Sequence, residues 1–432
     1  MMKLLPRSVP VWVCAAVLGV ATTLFVPLVM TVGGATPACD PGNGGINLPD
    51  GFCALVVADG LGTARHMAVA ANGDLYVATI ARRAGATALW ALRDTDGDGR
   101  MDVKEGFGEP PGGTGIALRN GFLYVASPTK VVRYKMTPGQ LKPTGDPETI
   151  VGDLQAGRQH EDKSLAFDDR GGMYVNVGAP SNACQSADRR PKIPGQDPCP
   201  LLAQHGGIWR FDENRAGQTQ ATGTRYATGL RQPVALAWHY DALYTVMNNR
   251  DQLDTLWPDL FKAEDNAQRP AEPMYRVTPD ANFGWPYCFY DYTQSKLLLN
   301  PEYGGDGKQV GRCSEFQTPV AAFPAHWAPV DLMFYTGTQF PAKYRGGAFI
   351  AFHGSWNRAP MPQDGYNVTF QPFDAGKPSG KFEVFASGFA GKDPLMQPNE
   401  AAYRADGVAQ GPDGSLYISD SQKGRIWRVI HQ

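Results

Sequence analysis

The stretch NGFLYVAS, Asn120–Ser127, is a glycine turn running into a short apolar and aromatic strand. It has five companions: NGDLYVAT (Asn72–Thr79), RGGMYVNV (Arg170–Val177), YDALYTVM (Tyr240–Met247), RGGAFIAF (Arg345–Phe352) and PDGSLYIS (Pro412–Ser419). A short apolar strand precedes each, as in HMAVA, GIAL, SLAF, ALAW, DLMF and GVAQ. A third follows most of them, often with a basic residue between apolar ones, as in VVRYK, GIWRF and RIWRV. A fourth often leads into the next copy, as in ETIVGDL, TRYATGL and KFEVFASGF. Four short strands repeated six times predict an all-β chain built as a six-bladed β-propeller. Radial stacking protects strand edges, because each sheet packs face to face on its neighbours. The ring must close. GFCALVVADGL (Gly51–Leu61) resembles a fourth strand but precedes the first copy, so it is expected to complete the last blade beside GRIWRVI (Gly424–Ile430). A two-sheet sandwich with long loops is the alternative architecture.

Composition agrees with a β-rich body. The chain has 432 residues, with 50 Gly, 35 Pro and 11% aromatics, which is many turns joined by aromatic strands. The net charge of −2 leaves no basic excess to meet phosphates, so a nucleic-acid partner is excluded.

Residues 1–38 differ from the rest. Lys3 and Arg7 precede an uncharged run from Ser8 to Cys39. This reads as a signal peptide or, if uncleaved, an N-terminal membrane anchor, and it would be the only tie to a membrane. Residues 39–432 are then an exported propeller domain, periplasmic or extracellular. Cysteine usage fits export. Apart from Cys14, the cysteines fall into neighbouring pairs, Cys39 with Cys53, Cys184 with Cys199 and Cys288 with Cys313, which suggests three loop-stapling disulfides. Six free thiols are the alternative. No C-x-x-C-H haem site is present.

In a propeller the innermost strand of each blade lines the axis. Just upstream of the six inner strands stand Arg65 and His66, Thr114, His160 with Glu161 and Lys163, Arg231 and Gln232, His326, and Arg404 with Asp406. These positions should converge on one polar funnel able to bind a compact ligand, with Arg65 and His326 among its ligand contacts. A His acting as base beside an Arg that stabilises negative charge suits hydride or proton abstraction from a hydroxyl.

Several segments resemble the soluble, pyrroloquinoline-quinone-dependent sugar dehydrogenases, the glucose/sorbosone dehydrogenase family, and its sorbosone-type branch most. They are HEDKSLAFDDRGGMYVNVG (His160–Gly178), GLRQPVALAW (Gly229–Trp238), NFGWPYCF (Asn282–Phe289), APVDLMFYTGTQFPAKYRGGAFIAFHGSWNR (Ala328–Arg358) and RADGVAQGPDGSLYISD (Arg404–Asp420). The resemblance implies a quinone over the central channel, with Ca²⁺ holding and polarising it. It implies that His160 is the general base and that Arg231 stabilises the reduced quinone's oxygen. Arg404 would contact the cofactor's carboxylates, with His353 nearby, and the cofactor Ca²⁺ would take the backbone carbonyls of Arg250 and Asp251. The family pattern Arg-Asn-Pro is Arg231-Gln232-Pro233 in this chain, so the contact made by Gln232 differs in reach. The expected activity is oxidation of a sugar or related alcohol or aldehyde. Electrons would pass to a separate acceptor, a cytochrome or a quinone, since no haem motif is present.

DTDGDGRMDVKE (Asp94–Glu105) is a second, independent metal motif. Asp94, Asp96, Asp98, Asp102 and Glu105 fall at the offsets of a twelve-residue Ca²⁺ loop, with Gly99 at the sharp turn and the carbonyl of Arg100 at the seventh position. It is expected to be structural and to join strands between the first two blades. Two other functional classes stay open at this point: a Ca²⁺-dependent propeller lactonase or other hydrolase, and a non-catalytic binding propeller.

Overall fold

A computed structural model describes residue 1, residues 37–82 and residues 85–432. Of the expected signal or anchor segment, residues 1–38, only Met1, Pro37 and Ala38 are among the described residues. Among the described residues no helix is long and apolar enough to cross a membrane.

The compact unit Pro37–Gln432 carries six blade sheets around an axis, each with four consecutive antiparallel strands, and two further two-stranded hairpins. The inner strands of blades 1 to 6 are Ala64–Val69, Gly115–Arg119, Leu165–Phe167, Gln232–His239, Pro329–Phe334 and Ala405–Gln410. The second strands are those of the repeated motif, and they read as continuous apolar runs. LYVAT, GMYVNV, AFIAF and LYISD are buried at every position. A strand enclosed on both faces has no solvent side for polar residues, so period-2 alternation is lost. Tight turns set the register. In blade 2, Arg119 pairs with Phe122 across Asn120 and Gly121, both at positive φ, as a two-residue hairpin requires.

Ring closure is as expected. Phe52–Ala58 pairs antiparallel with Ile426–His431, placing Phe52 opposite His431 and Ala54 opposite Val429. The ring of Phe52 sits edge-on to Phe340, Tyr344 and Phe385 of blade 5, so the closing strand is also a core element. All three expected disulfides are present, Cys39–Cys53, Cys184–Cys199 and Cys288–Cys313. Such bridges fit an exported protein.

The sequence pattern did not reveal two strands of blade 4, Glu272–Val277 and Ala321–Phe323. Between its strands blade 4 carries the short helices Leu253–Leu256 and Ala263–Gln268 and a hairpin of Cys288–Asp291 with Lys296–Leu299. These insertions break the spacing and hide the repeat.

The acidic loop is corrected in position. It joins Leu89–Arg93 to Val103–Phe107, the third and fourth strands of blade 1, rather than linking two blades. It also grips the closing strand. The Arg100 guanidinium donates to Asp40 Oδ1 at 2.7 Å and to the Val56 carbonyl at 2.8 Å, and Met101 N donates to the Val57 carbonyl at 2.9 Å.

Phe52→Ala should lower the unfolding free energy by about 3–4 kcal/mol, because a buried aromatic at the closure is lost. Urea denaturation followed by tryptophan fluorescence measures this. A change within about 0.5 kcal/mol, the size of an ordinary surface substitution, would show that the seam does not hold the ring.

Candidate active site

The inlets of the inner strands meet at a pocket of about 310 Å³ on the axis. Arg65, His160, Arg231, Gln232, His326, His353 and Arg404 all line it, from blades 1, 3, 4, 5 and 6. The rest of the expected ring stands behind this surface. Thr114 accepts from Arg65 Nε at 3.3 Å, Asp406 accepts from Arg65 Nη1 at 2.8 Å, and His66 bonds the Val330 carbonyl at 2.8 Å.

His160 and Arg231 are coupled through one peptide. His160 Nδ1 is 2.5 Å from the Ala179 carbonyl, and Ala179 N donates to the Arg231 carbonyl at 2.7 Å. A carbonyl only accepts, so Nδ1 carries the proton. Nε2 is then the unprotonated nitrogen, and it makes no hydrogen bond among the described residues. Burial, then the charge of Arg231, push the His160 pKa down to about 3. The ring is therefore a neutral base at ordinary pH. Gly178 makes this approach possible, since a Cβ there would lie 2.1 Å from Gln232 Oε1 and 2.4 Å from the His160 carbonyl.

Arg231 is 1% exposed and is held rigidly. It donates to Asp251 Oδ2 at 2.6 Å and to the Asn249 carbonyl at 2.7 Å. Arg189 shares Asp251 Oδ2 at 2.7 Å, and Asn357 donates to Asp251 Oδ1 at 2.8 Å. Burial opposes ionisation of Asp251, but the two guanidiniums prevail and hold its pKa well below the usual carboxylate range. The other two pocket histidines are neutral as well. Burial brings both His326 and His353 down to about 4, and the neighbouring Arg404 contributes at His353.

The charged run after His160 is satisfied within the protein. Asp162 accepts from Arg65 Nη2 at 3.0 Å and from Thr114 Oγ1 at 3.0 Å. Lys163 is buried, donates to the Glu161 carbonyl at 2.8 Å and is pushed down to about 8 by burial. Of these charges, only Asp162 lines the pocket.

Four residues that sequence reasoning passed over also line the pocket: Asp162, Glu272, Trp356 and Asn357. Glu272 accepts from Asn249 N at 2.8 Å, and burial raises its pKa to about 8. It sits on a strand with no motif, so nothing in the sequence singled it out. Trp356 and Asn357 belong to the quoted FHGSWNR segment. Trp356 is 51% exposed, which is unusual for a residue of its size.

The arrangement offers both donors and acceptors without partners. Arg231 Nε, Gln232 Oε1, His353 Nδ1 and Asn357 Oδ1 are buried and unpaired. Arg404 spends Nε and Nη2 on the His353 and Gly354 carbonyls at 2.8 and 2.6 Å, leaving Nη1 without a partner among the described residues. The unspent guanidinium N–H groups of Arg231 and Arg404 suit the carboxylates of a ligand such as the quinone, while the Gln232 and Asn357 oxygens can only accept from it. The expected calcium carbonyls fit less well. The Asp251 carbonyl already accepts from Asn182 Nδ2 at 3.0 Å and Arg250 Nη2 at 3.2 Å, which fills both lone pairs. Arg250 does not line the pocket; its guanidinium turns away to Glu302 at 2.6 Å and Asn300 at 3.0 Å. The Asp251 carbonyl therefore has no lone pair free for a cation.

The acidic loop brings together only part of its motif. Carboxylate oxygens of Asp94, Asp96 and Asp102 lie within 4.8 Å of one another. Asp98 and Glu105 are outside that group, and Glu105 pairs with Lys142 at 3.1 Å. Among the described residues no comparable group of three acids or histidines forms in the axial pocket.

A family model described as TrAA12-like matches residues 46–432, the whole propeller. The chain belongs to the TrAA12-like family. Its fold is shared with the calcium structure of the Trichoderma reesei Carbohydrate-Active Enzymes Family AA12 protein, at TM-score 0.73 and 17% identity over 93% of this chain and 100% of that one. The holo form of the pyranose dehydrogenase PQQ domain from Coprinopsis cinerea gives 0.69 and 18%, over 92% and 99%. Among curated sequences, the pyrroloquinoline quinone-dependent pyranose dehydrogenase of Coprinopsis cinerea is 28% identical over 191 residues, 38% of this chain and 25% of that protein. An uncharacterised protein of Borreliella burgdorferi is 29% identical over 210 residues, 48% of each. The chain thus matches about half or less of the length of these curated relatives.

The neutral histidines carry a consequence for stability. His160, His326 and His353 have folded values of about 3, 4 and 4 against 6.5 when free. The unfolded chain therefore binds more protons than the folded one between about pH 6.5 and 4, and stability is lost as pH falls through that window. The urea midpoint should drop from pH 7 to pH 5, and His353→Gln should shrink the drop. An unchanged difference between the two pH values in that variant would contradict the assignment.

Proposed function

We propose that the protein is a quinone-dependent oxidoreductase acting on a sugar or related alcohol or aldehyde, of aldose or sorbosone type, with His160 as general base. The observation that carries this reading is the neutral His160, its Nε2 unpartnered, coupled through Ala179 to the buried Arg231. Pyrroloquinoline quinone, when bound, supplies a hydride acceptor. Arg404, His353, Arg65, His326 and Gln232 would hold it through its carboxylates and ring substituents. His160 Nε2 takes the proton from the substrate hydroxyl, while the Nδ1–H bond to Ala179 keeps the imidazole in the reactive tautomer and shares the charge that develops. Arg231, fixed by Asp251, is a cation that need not reorganise as negative charge builds beside it. Electrons then leave to a separate acceptor, a cytochrome or a quinone. The disulfides support an exported protein, and the uncharged N-terminal run supports a periplasmic or extracellular location, with or without an anchor.

Purified protein mixed with the quinone and Ca²⁺ should bind the quinone, read by its absorbance change, and reduce a dye with at least one aldose. His160→Ala should lose about 10²–10⁴-fold in turnover while quinone binding persists. Failure of the unaltered protein to bind the quinone and reduce dye would sink the proposal.

The Asp94–Glu105 loop is proposed as a structural Ca²⁺ site, with Asp94, Asp96 and Asp102 as its side-chain ligands. Chelation should lower the melting temperature of the quinone-free protein, and Asp94→Ala should abolish the response. An equal shift in that variant would place the responsible ion elsewhere.

A further inference from the structure

The backbone of His160 lies at φ +56°, a left-handed conformation that few non-glycine residues adopt and that persists only where the surroundings fix it. The residue before it is clamped. The side-chain amide of Gln159 is satisfied at both ends by two consecutive residues of the loop after blade 3's second strand. Its NH2 group donates to Asp188 Oδ2 at 2.8 Å, and its oxygen accepts from Arg189 Nε at 3.1 Å and Nη2 at 2.9 Å. That loop is braced in turn. Cys184 is bridged to Cys199, and the Gln185 side chain accepts from Arg189 N at 2.9 Å and donates to the Arg190 and Ile193 carbonyls at 3.0 and 2.8 Å.

Arg189 also reaches the other half of the site. Its Nη2 donates to Asp251 Oδ2 at 2.7 Å, the same oxygen that accepts from Arg231 Nη2 at 2.6 Å, and its Nη1 donates to Gln252 Oε1 at 2.6 Å. One planar guanidinium therefore joins the neighbour of His160 to the anchor of Arg231. This is a second link between the two, beside the Ala179 peptide. Arg189 does not line the axial pocket, so whatever it does there it does through its neighbours. Charge alone does not account for its contacts, because two of its three partners, Gln159 and Gln252, are neutral amides. The fork matters as well: a guanidinium presents five N–H groups in one fixed plane, whereas a lysine ammonium is a compact point charge on a flexible stem and cannot serve all three partners at these angles.

We propose that Arg189 is a positioning residue, which holds His160 and Arg231 at a fixed separation and orientation through Gln159 and Asp251. The turnover arm of its test rests on the dehydrogenase reading, and the spectroscopic arm does not. Labelling with ¹⁵N-histidine reports the seven imidazoles of the quinone-free protein by NMR, and His160→Gln identifies the His160 signal. The unaltered protein should show His160 as one tautomer, protonated at Nδ1. Arg189→Met, Arg189→Lys and Gln159→Leu should each add the second tautomer, because the ring is then free to leave the Ala179 carbonyl. Arg189→Lys keeps the charge, and Gln159→Leu cuts only the limb to His160 while leaving Arg189 paired with Asp251. In the quinone-loaded protein each variant should lower kcat about 10–10²-fold, the effect of a small displacement of a reacting group, with KM for the sugar changed by less than about threefold. A single Nδ1–H tautomer kept in both Arg189→Lys and Gln159→Leu, or turnover equal to that of the unaltered protein in both, would overturn the proposal. A lower melting temperature with that signal unchanged would overturn it too, since it marks a purely structural role. If the unaltered protein reduces no dye, the redox reading fails by itself and the tautomer still decides the role of Arg189.

Discussion

The pairing of Phe52–Ala58 with Ile426–His431 is the constraint on which the site depends. Six blades form one ring only if the two ends of the propeller meet in a single sheet. The ion pair between Arg65 and Asp406 spans 341 residues and joins blade 1 to blade 6 across that seam. The same Arg65 reaches Asp162 of blade 3, so one guanidinium ties three blades together over the axis. The Cys39–Cys53 bridge, Arg100 and the Phe52 aromatic cluster all reinforce the closing strand. Opening the seam would leave the inner strands apolar on one side and their charged inlets without opposite partners.

Around the axis, buried charge is tolerated because it is paired or hydrogen-bonded: Arg65 with Asp406 and Asp162, Arg231 with Asp251, and Arg404 and Lys163 with backbone carbonyls. Burial of an unpaired ion costs several kcal/mol, whereas a hydrogen-bonded network offsets most of that. Arg231 and Arg189 converge on one oxygen of Asp251, and Asn357 holds the other. The result is a stationary cation beside histidines that burial keeps neutral. This is the electrostatic condition a proton acceptor needs next to developing negative charge, and it exists before any substrate arrives. The unpaired atoms on the lining show where the network stops.

The insertions of blade 4 are part of the same design. The 249–271 segment and the Cys288–Cys313 loop lean on the loop after blade 3's second strand. Asn182 exchanges two hydrogen bonds with Asp251, and Trp285 Nε1 donates to the Asn182 carbonyl at 2.9 Å. These loops carry Asp251, so the geometry of Arg231 depends on residues far outside the repeated strands.

Read alone, the sequence determined the six-fold repeat, the closing strand, the disulfide partners and the ring of His160, Arg231, His326 and Arg404. Each is encoded locally, by a glycine turn before an apolar run, by neighbouring cysteines, or by a residue one to five positions upstream of an inner strand. The tertiary structure decided what offset cannot express. Glu272 and Asn357 reach the pocket from elements with no inlet position, and the Asp251 carboxylate anchors Arg231. The acidic run after His160 turned out to be internally paired, because Arg65 and Thr114 arrive from other blades to meet Asp162. The acidic loop was placed within blade 1 by its strand partners, not by its motif. Repeat position is a property of the chain, whereas side-chain direction and charge pairing depend on which blades pack together, and only the closed ring sets that.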